Sequence, residues 1–102
     1  MIVFNTTFHV AEEIHEAFIE YMLQRFIPMS TKSGLLTSPR LARIFGKEDD
    51  EGHSYAMEFI AADIVALERW NADESETVYA PLLDMFKEKL IGFSTIMQTV
   101  EY

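Results

Sequence analysis

Apolar positions along this chain recur with an alternating period, then a helical one, then two alternating stretches, a second helical one and a last alternating one. Residues 2–10 set Ile2, Phe4, Thr6, Phe8 and Val10 on one face and Val3, Asn5, Thr7 and His9 on the other. That alternation, rich in β-branched and aromatic residues, predicts a strand with one buried face. Glu12 and Glu13 follow, where a helix N-terminus favours negative charge. Ile14, Phe18, Met22 and Phe26 then recur every four residues, widened by Ala11, Ala17 and Tyr21. Glu12, Glu16, Glu20 and Gln24 form a polar side, while Ile19, Leu23 and Ile27 point to a second buried face. Pro28 is expected to end or kink this helix, with a turn at Gly34.

Residues 35–46 form the second strand region. Pro39 removes a ladder donor there, so it belongs on an edge, at a bulge or ahead of the regular strand. The run from Lys47 to Gly52 reads as a solvated hairpin tip, and His53 to Ala61 as the third strand. In that strand Tyr55, Met57 and Phe59 alternate against Ala56, Glu58 and Ile60. Asp63 can cap a second helix whose stripe includes Ile64, Leu67 and Trp70. The polar stretch 71–77 interrupts it, and Pro81 fits only the first turn of a renewed helix. Two helical pieces are therefore expected, the second carrying Leu82, Phe86 and Leu90 and broken by Gly92. Residues 93–102 give the last strand. The order β-α-β-β-α-β predicts an α+β, ferredoxin-like fold, a four-stranded antiparallel sheet with helices on one face. Residues 1–102 are expected to form one domain.

Composition changes this picture in one respect. Hydrophobic residues make up 49% of the chain and aromatics 13%, rich for a small monomer. Val3, Ile60 and Ile96 or Val100 are expected on the sheet face that the helices leave bare. A second copy of the chain is the expected cover. The 17 acidic residues against 8 basic ones give a net charge of −9, which argues against nucleic acid and anionic membrane as partners. No segment has the composition of a membrane span. The absence of cysteine excludes disulfides, iron–sulfur clusters, thiolate zinc sites and cysteine nucleophiles. The first residues lack the basic stretch and apolar run of a signal peptide, so a cytoplasmic location is expected.

The stretch Ile27-Pro28-Met29-Ser30-Thr31-Lys32-Ser33-Gly34-Leu35-Leu36 ends the first helix and opens the second strand. With Ile2-Val3-Phe4-Asn5-Thr6-Thr7 and Phe93-Ser94-Thr95-Ile96-Met97, it resembles a family of small bacterial proteins of unknown function. That family has a dimeric ferredoxin-like α+β barrel fold. Such families often carry a histidine just before the Ile-Pro pair, where this chain has Phe26. The resemblance implies a homodimer whose two sheets face each other, sometimes around a pocket. Related barrels include monooxygenases, haem-degrading enzymes and ligand-binding modules, so the fold leaves function open.

Candidate chemistry centres on the histidines. His9, His15 and His53 make no pair at i, i+4 spacing, and no metal site is expected. His15 lies among Glu12, Glu16 and Gln24 and reads as solvated; His53 flanks the acidic turn and reads as exposed. His9 shares the polar face of the first strand with Asn5 and would line the dimer cavity, which makes it the candidate base. If the hairpin turns around Asp50–Glu51, Arg43 and Glu58 oppose each other across strands two and three. Such a pair contributes about 0.2–1 kcal/mol to a sheet, or holds a carboxylate or carbonyl if it faces the cavity. The expected ligand-binding set is Asn5, His9, Arg43 and Glu58, with no cofactor. The acidic turn lacks calcium-loop spacing, and the aromatics read as core and interface rather than a haem or quinone pocket. The hydroxyls have no nucleophile-activating partners. The expectation is a homodimeric small-molecule-binding or structural module. The alternative is a cofactor-light monooxygenase or isomerase, with His9 as base and Arg43 stabilising an enolate-like anion.

Overall fold

Strict alternation makes β1 (Ile2–Val10) the strand on which the sheet is assembled. Ile2, Phe4, Thr6, Phe8 and Val10 are buried under the helices, while the residues between them are half-buried. The computed structural model describes residues 1–46 and 51–102, so positions 47–50 of the expected hairpin tip lie outside the described residues. β1 pairs antiparallel with β3 (His53–Ala61) on one side and β4 (Leu90–Gln98) on the other. β2 (Thr37–Ile44) pairs with β3, giving the order β2-β3-β1-β4. Pro39 sits where the sequence allows it. β2 is an edge strand, its register shifts between Thr37 and Arg40, and Ser38 takes a φ of 51°.

The first helix spans 12–31 and runs through Pro28 rather than ending there. It is built from a 3-10 turn (Glu12–Ile14), an α segment (His15–Tyr21), a π turn (Met22–Phe26) and a last α segment (Ile27–Thr31). The π turn lies directly before Pro28, where a regular helix would set the ring against the carbonyl four residues back. Widening that turn lets the helix absorb the proline. Phe18, Met22 and Phe26 are buried as the stripe predicts, but Leu23 is 56% exposed, so the second face is only partly covered.

The second helix (Ile64–Phe86) is one element of 23 residues, not two pieces. Asp63 caps it by accepting from the Ala66 N–H at 2.8 Å. Its buried residues Trp70, Val78, Leu82 and Phe86 lie on one side, so the polar stretch 71–77 is a solvated face rather than a break. Pro81 and Thr77 are both exposed, and the carbonyl that loses its donor can turn to water. The Trp70 indole donates to the Ser30 carbonyl at 2.9 Å in the buried interior, tying this helix to the end of the first. Phe4 meets Trp70 and Phe8 meets Phe18 at centroid distances of 5.8 and 5.6 Å. No helix among the described residues is long and apolar enough to cross a membrane.

Gly92 does not break the second helix. It belongs to β4, where a Cβ would lie 2.9 Å from the Phe8 ring. The helix ends five residues earlier, at Lys87, whose φ of 49° and ψ of −129° suit glycine. β4 then starts at Leu90 and stops at Gln98, so Val100 is no part of the sheet. Ile96 pairs with Phe4 and so points to the helix side, contrary to expectation. Ile91, Phe93 and Met97 take the bare face, 66%, 66% and 43% exposed. Replacing Lys87 with glycine removes strain of about 1–3 kcal/mol. It adds unfolded-chain entropy worth about 0.5–1 kcal/mol. Urea denaturation of Lys87→Gly is therefore expected to show a net gain of roughly 1 kcal/mol.

Candidate functional site

Asn5 and Glu58 are partners across β1 and β3, on the face opposite the helices. Arg43 is not with them. Glu58 pairs with Arg40, whose guanidinium lies 3.1 Å from its carboxylate, and Arg43 stands opposite Tyr55. The hairpin register thus differs from the expected one by three residues, an odd number that moves Arg43 to the helix side. There its guanidinium donates to His53 Nδ1 at 2.9 Å.

His9 stays on the bare face, and both of its ring nitrogens are hydrogen-bonded. One ring nitrogen meets the Ser54 hydroxyl at 2.8 Å and the other the Glu51 carbonyl at 2.7 Å. A carbonyl only accepts, so Nε2 carries the proton and Nδ1 takes the serine's. Both nitrogens are spent on holding the start of β3 to the end of β1. His9 also borders an open cleft of about 640 Å³ shared with Glu12, Glu13, Glu51, Glu88 and Lys89.

The other two histidines are not solvated side chains. The His15 and His53 rings stack at 3.7 Å, nearly parallel. His15 Nε2 lies 2.6 Å from the Tyr55 hydroxyl, and the His53 side chain, 15% exposed, bonds through Nε2 to the Glu12 carboxylate. Burial first, and the neighbouring His53 second, hold the pKa of His15 below the ordinary histidine value. Sequence reasoning missed this group because its members come from the first helical turn and the start of β3. One signal was legible and overlooked: Glu12-Glu13-Ile14-His15 has the Glu-x-x-His spacing that sets both side chains on one face of a helical turn.

A second group also escaped the sequence. Tyr79, on the second helix, reaches Thr6 of β1 at 3.1 Å, and Thr6 reaches Ser94 of β4 at 3.0 Å. Tyr79 and Ser94 line a cleft of about 390 Å³ between the second helix and β4, with Phe4, Leu67, Asn71 and Ile96 also on its walls. Burial raises the Tyr79 pKa above its ordinary value, against the opposing pull of its bonded hydroxyls, so the phenol stays protonated. Three hydroxyls joined by two hydrogen bonds retain one proton to offer a guest. An apolar cleft with a few convergent polar groups has the makeup of a small-molecule site.

The chain belongs to the family described as "Domain of unknown function (DUF4286)", whose model matches residues 1–100. No curated protein matches it. Among solved structures it is similar to an ethyl tert-butyl ether d (ethd) family protein from Bacillus halodurans. That match has 17% identity and a TM-score of 0.70, covering 98% of this chain and 100% of the other. An antibiotic biosynthesis monooxygenase matches at 19% identity and a TM-score of 0.66, over 99% of this chain and 100% of that one. A dimeric ferredoxin-like protein from an uncultured marine organism matches at 16% identity and a TM-score of 0.66, over 99% and 95%. At these identities the likeness establishes the ferredoxin-like α+β fold alone.

The register makes a direct prediction. A double-mutant cycle on Arg40 and Glu58 should give a coupling of about 0.2–1 kcal/mol, small because Arg40 is mostly exposed. The same cycle on Arg43 and Glu58 should give none, as read by chemical denaturation.

Proposed function

We propose that this chain is a homodimeric small-molecule-binding protein whose ligand enters the cleft between the second helix and β4. The observation that carries the site is the Tyr79–Thr6–Ser94 hydroxyl chain beside apolar Phe4, Leu67 and Ile96. The guest it suits is small and largely apolar, with one hydrogen-bonding group to meet the spare hydroxyl proton. The dimer rests on the bare sheet face. Ile91, Phe93 and Met97 expose apolar surface there beside half-buried Val3 and Ile60, and a second sheet is the economical cover. Asn5, His9, Arg40 and Glu58 then supply the polar part of that interface, in place of the cavity site expected from sequence. The same proposal puts the protein in a bacterial cytoplasm, in keeping with its lack of cysteine.

Tyr79 also favours a second reading, a cofactor-light oxygenase or isomerase. A phenol held protonated beside an apolar cleft can donate to an oxygen that gains charge during reaction. One of the fold neighbours is an antibiotic biosynthesis monooxygenase. Turnover of the bound compound, lost in Tyr79→Phe, would select this reading over simple binding.

Native mass spectrometry of the purified protein, followed by denaturing mass spectrometry, is expected to give a dimer with extra mass that denaturation releases. Tyr79→Phe should retain the dimer and weaken ligand retention by about tenfold, the value of one hydrogen bond of roughly 1.4 kcal/mol. Phe93→Glu should give a monomer by light scattering. A wild-type monomer sinks the dimer proposal, and full retention in Tyr79→Phe moves the ligand elsewhere.

A further inference from the structure

We propose that Glu12, His15 and His53 form a binding site for a divalent transition-metal ion, with zinc as the probe. Each residue offers one ligand atom, and the three atoms lie within 4.8 Å of one another. Two imidazoles and a carboxylate suit zinc, cobalt or nickel rather than magnesium or calcium. The scaffold is suitable as well. Glu12 and His15 leave one helical turn at i, i+3, and His53 opens β3, so both sides are anchored in regular structure. The Tyr55 hydroxyl, 2.6 Å from Nε2 of His15, is the kind of partner that fixes a ligand's tautomer and leaves the other nitrogen for a metal. Glu12 is 78% exposed at its side chain, which leaves a fourth position to water.

Binding requires two rearrangements, each within reach of these side chains. The stacked rings must rotate apart until their lone pairs converge, since stacked imidazoles direct them side by side. Arg43 must also give up its bond to His53 Nδ1, because a metal on Nε2 moves the proton to Nδ1. Arg43 is exposed and already lies over the Phe45 ring at 5.5 Å, so it has another place to rest. Arg43 is thus the competitor of the ion, a built-in cation that the metal displaces.

Titration calorimetry of the untagged full chain with zinc chloride tests the site. One ion per chain is expected, with affinity reduced at least about tenfold in His15→Ala and in His53→Ala. Arg43→Ala is expected to tighten binding. On the wild-type chain, histidine NMR signals of His15 and His53 should move on zinc addition while those of His9 stay. That measurement stands even if a histidine variant fails to fold. Absence of binding, binding unchanged in both alanine variants, or shifts at His9 alone would each overturn the proposal.

Discussion

The rest of the structure depends on β1 being paired along both edges and buried along one face. Its nine residues carry ladders to β3 and β4, while β2 takes its place in the sheet through β3. Its buried side chains Phe4 and Phe8 receive Trp70 from the second helix and Phe18 and Phe26 from the first. One of those inward positions is a threonine rather than a hydrophobe. A buried hydroxyl has to be bonded, and Thr6 satisfies that demand with Tyr79 and Ser94. The candidate ligand cleft therefore grows out of the strand that organises the core.

The helices cover the middle of the sheet and leave its margins bare. β2 manages its exposed edge with Pro39 and a bulge, devices that discourage further pairing. β4 has no such device, and every residue after Leu90 in it is exposed. This asymmetry distinguishes the two edges. One is blunted, while the other presents apolar side chains on both faces.

Much of the fold was legible because its signals are local. The alternation of β1, the Phe18–Met22–Phe26 stripe, the Asp63 cap and the edge placement of Pro39 all follow from a few neighbouring residues. The misreadings share a cause. Local rules let Pro28 end or kink the first helix, make Pro81 restart the second and make Gly92 break it. Yet a π turn absorbs Pro28, solvent exposure accommodates Pro81, and Gly92 gives room to the Phe8 ring within β4. Whether a helix continues across a proline depends on its wider surroundings, packed or solvated, which a local rule does not see.

The candidate sites were less legible than the fold. Asn5, His9 and Glu58 were placed on the correct face, but Arg43 was not, because β2 pairs with β3 three residues out of the expected register. The Glu12–His15–His53 and Tyr79–Thr6–Ser94 groups unite residues 41 and 88 positions apart at their widest hydrogen-bonded pairs. By itself the sequence determined the order of strands and helices and the buried faces of β1, β3 and the first helix's main stripe, since periodicity acts over one or two turns or a few strand residues. Only the tertiary structure decided which side chains meet. A strand that slips by an odd number of residues keeps its pattern and trades its faces.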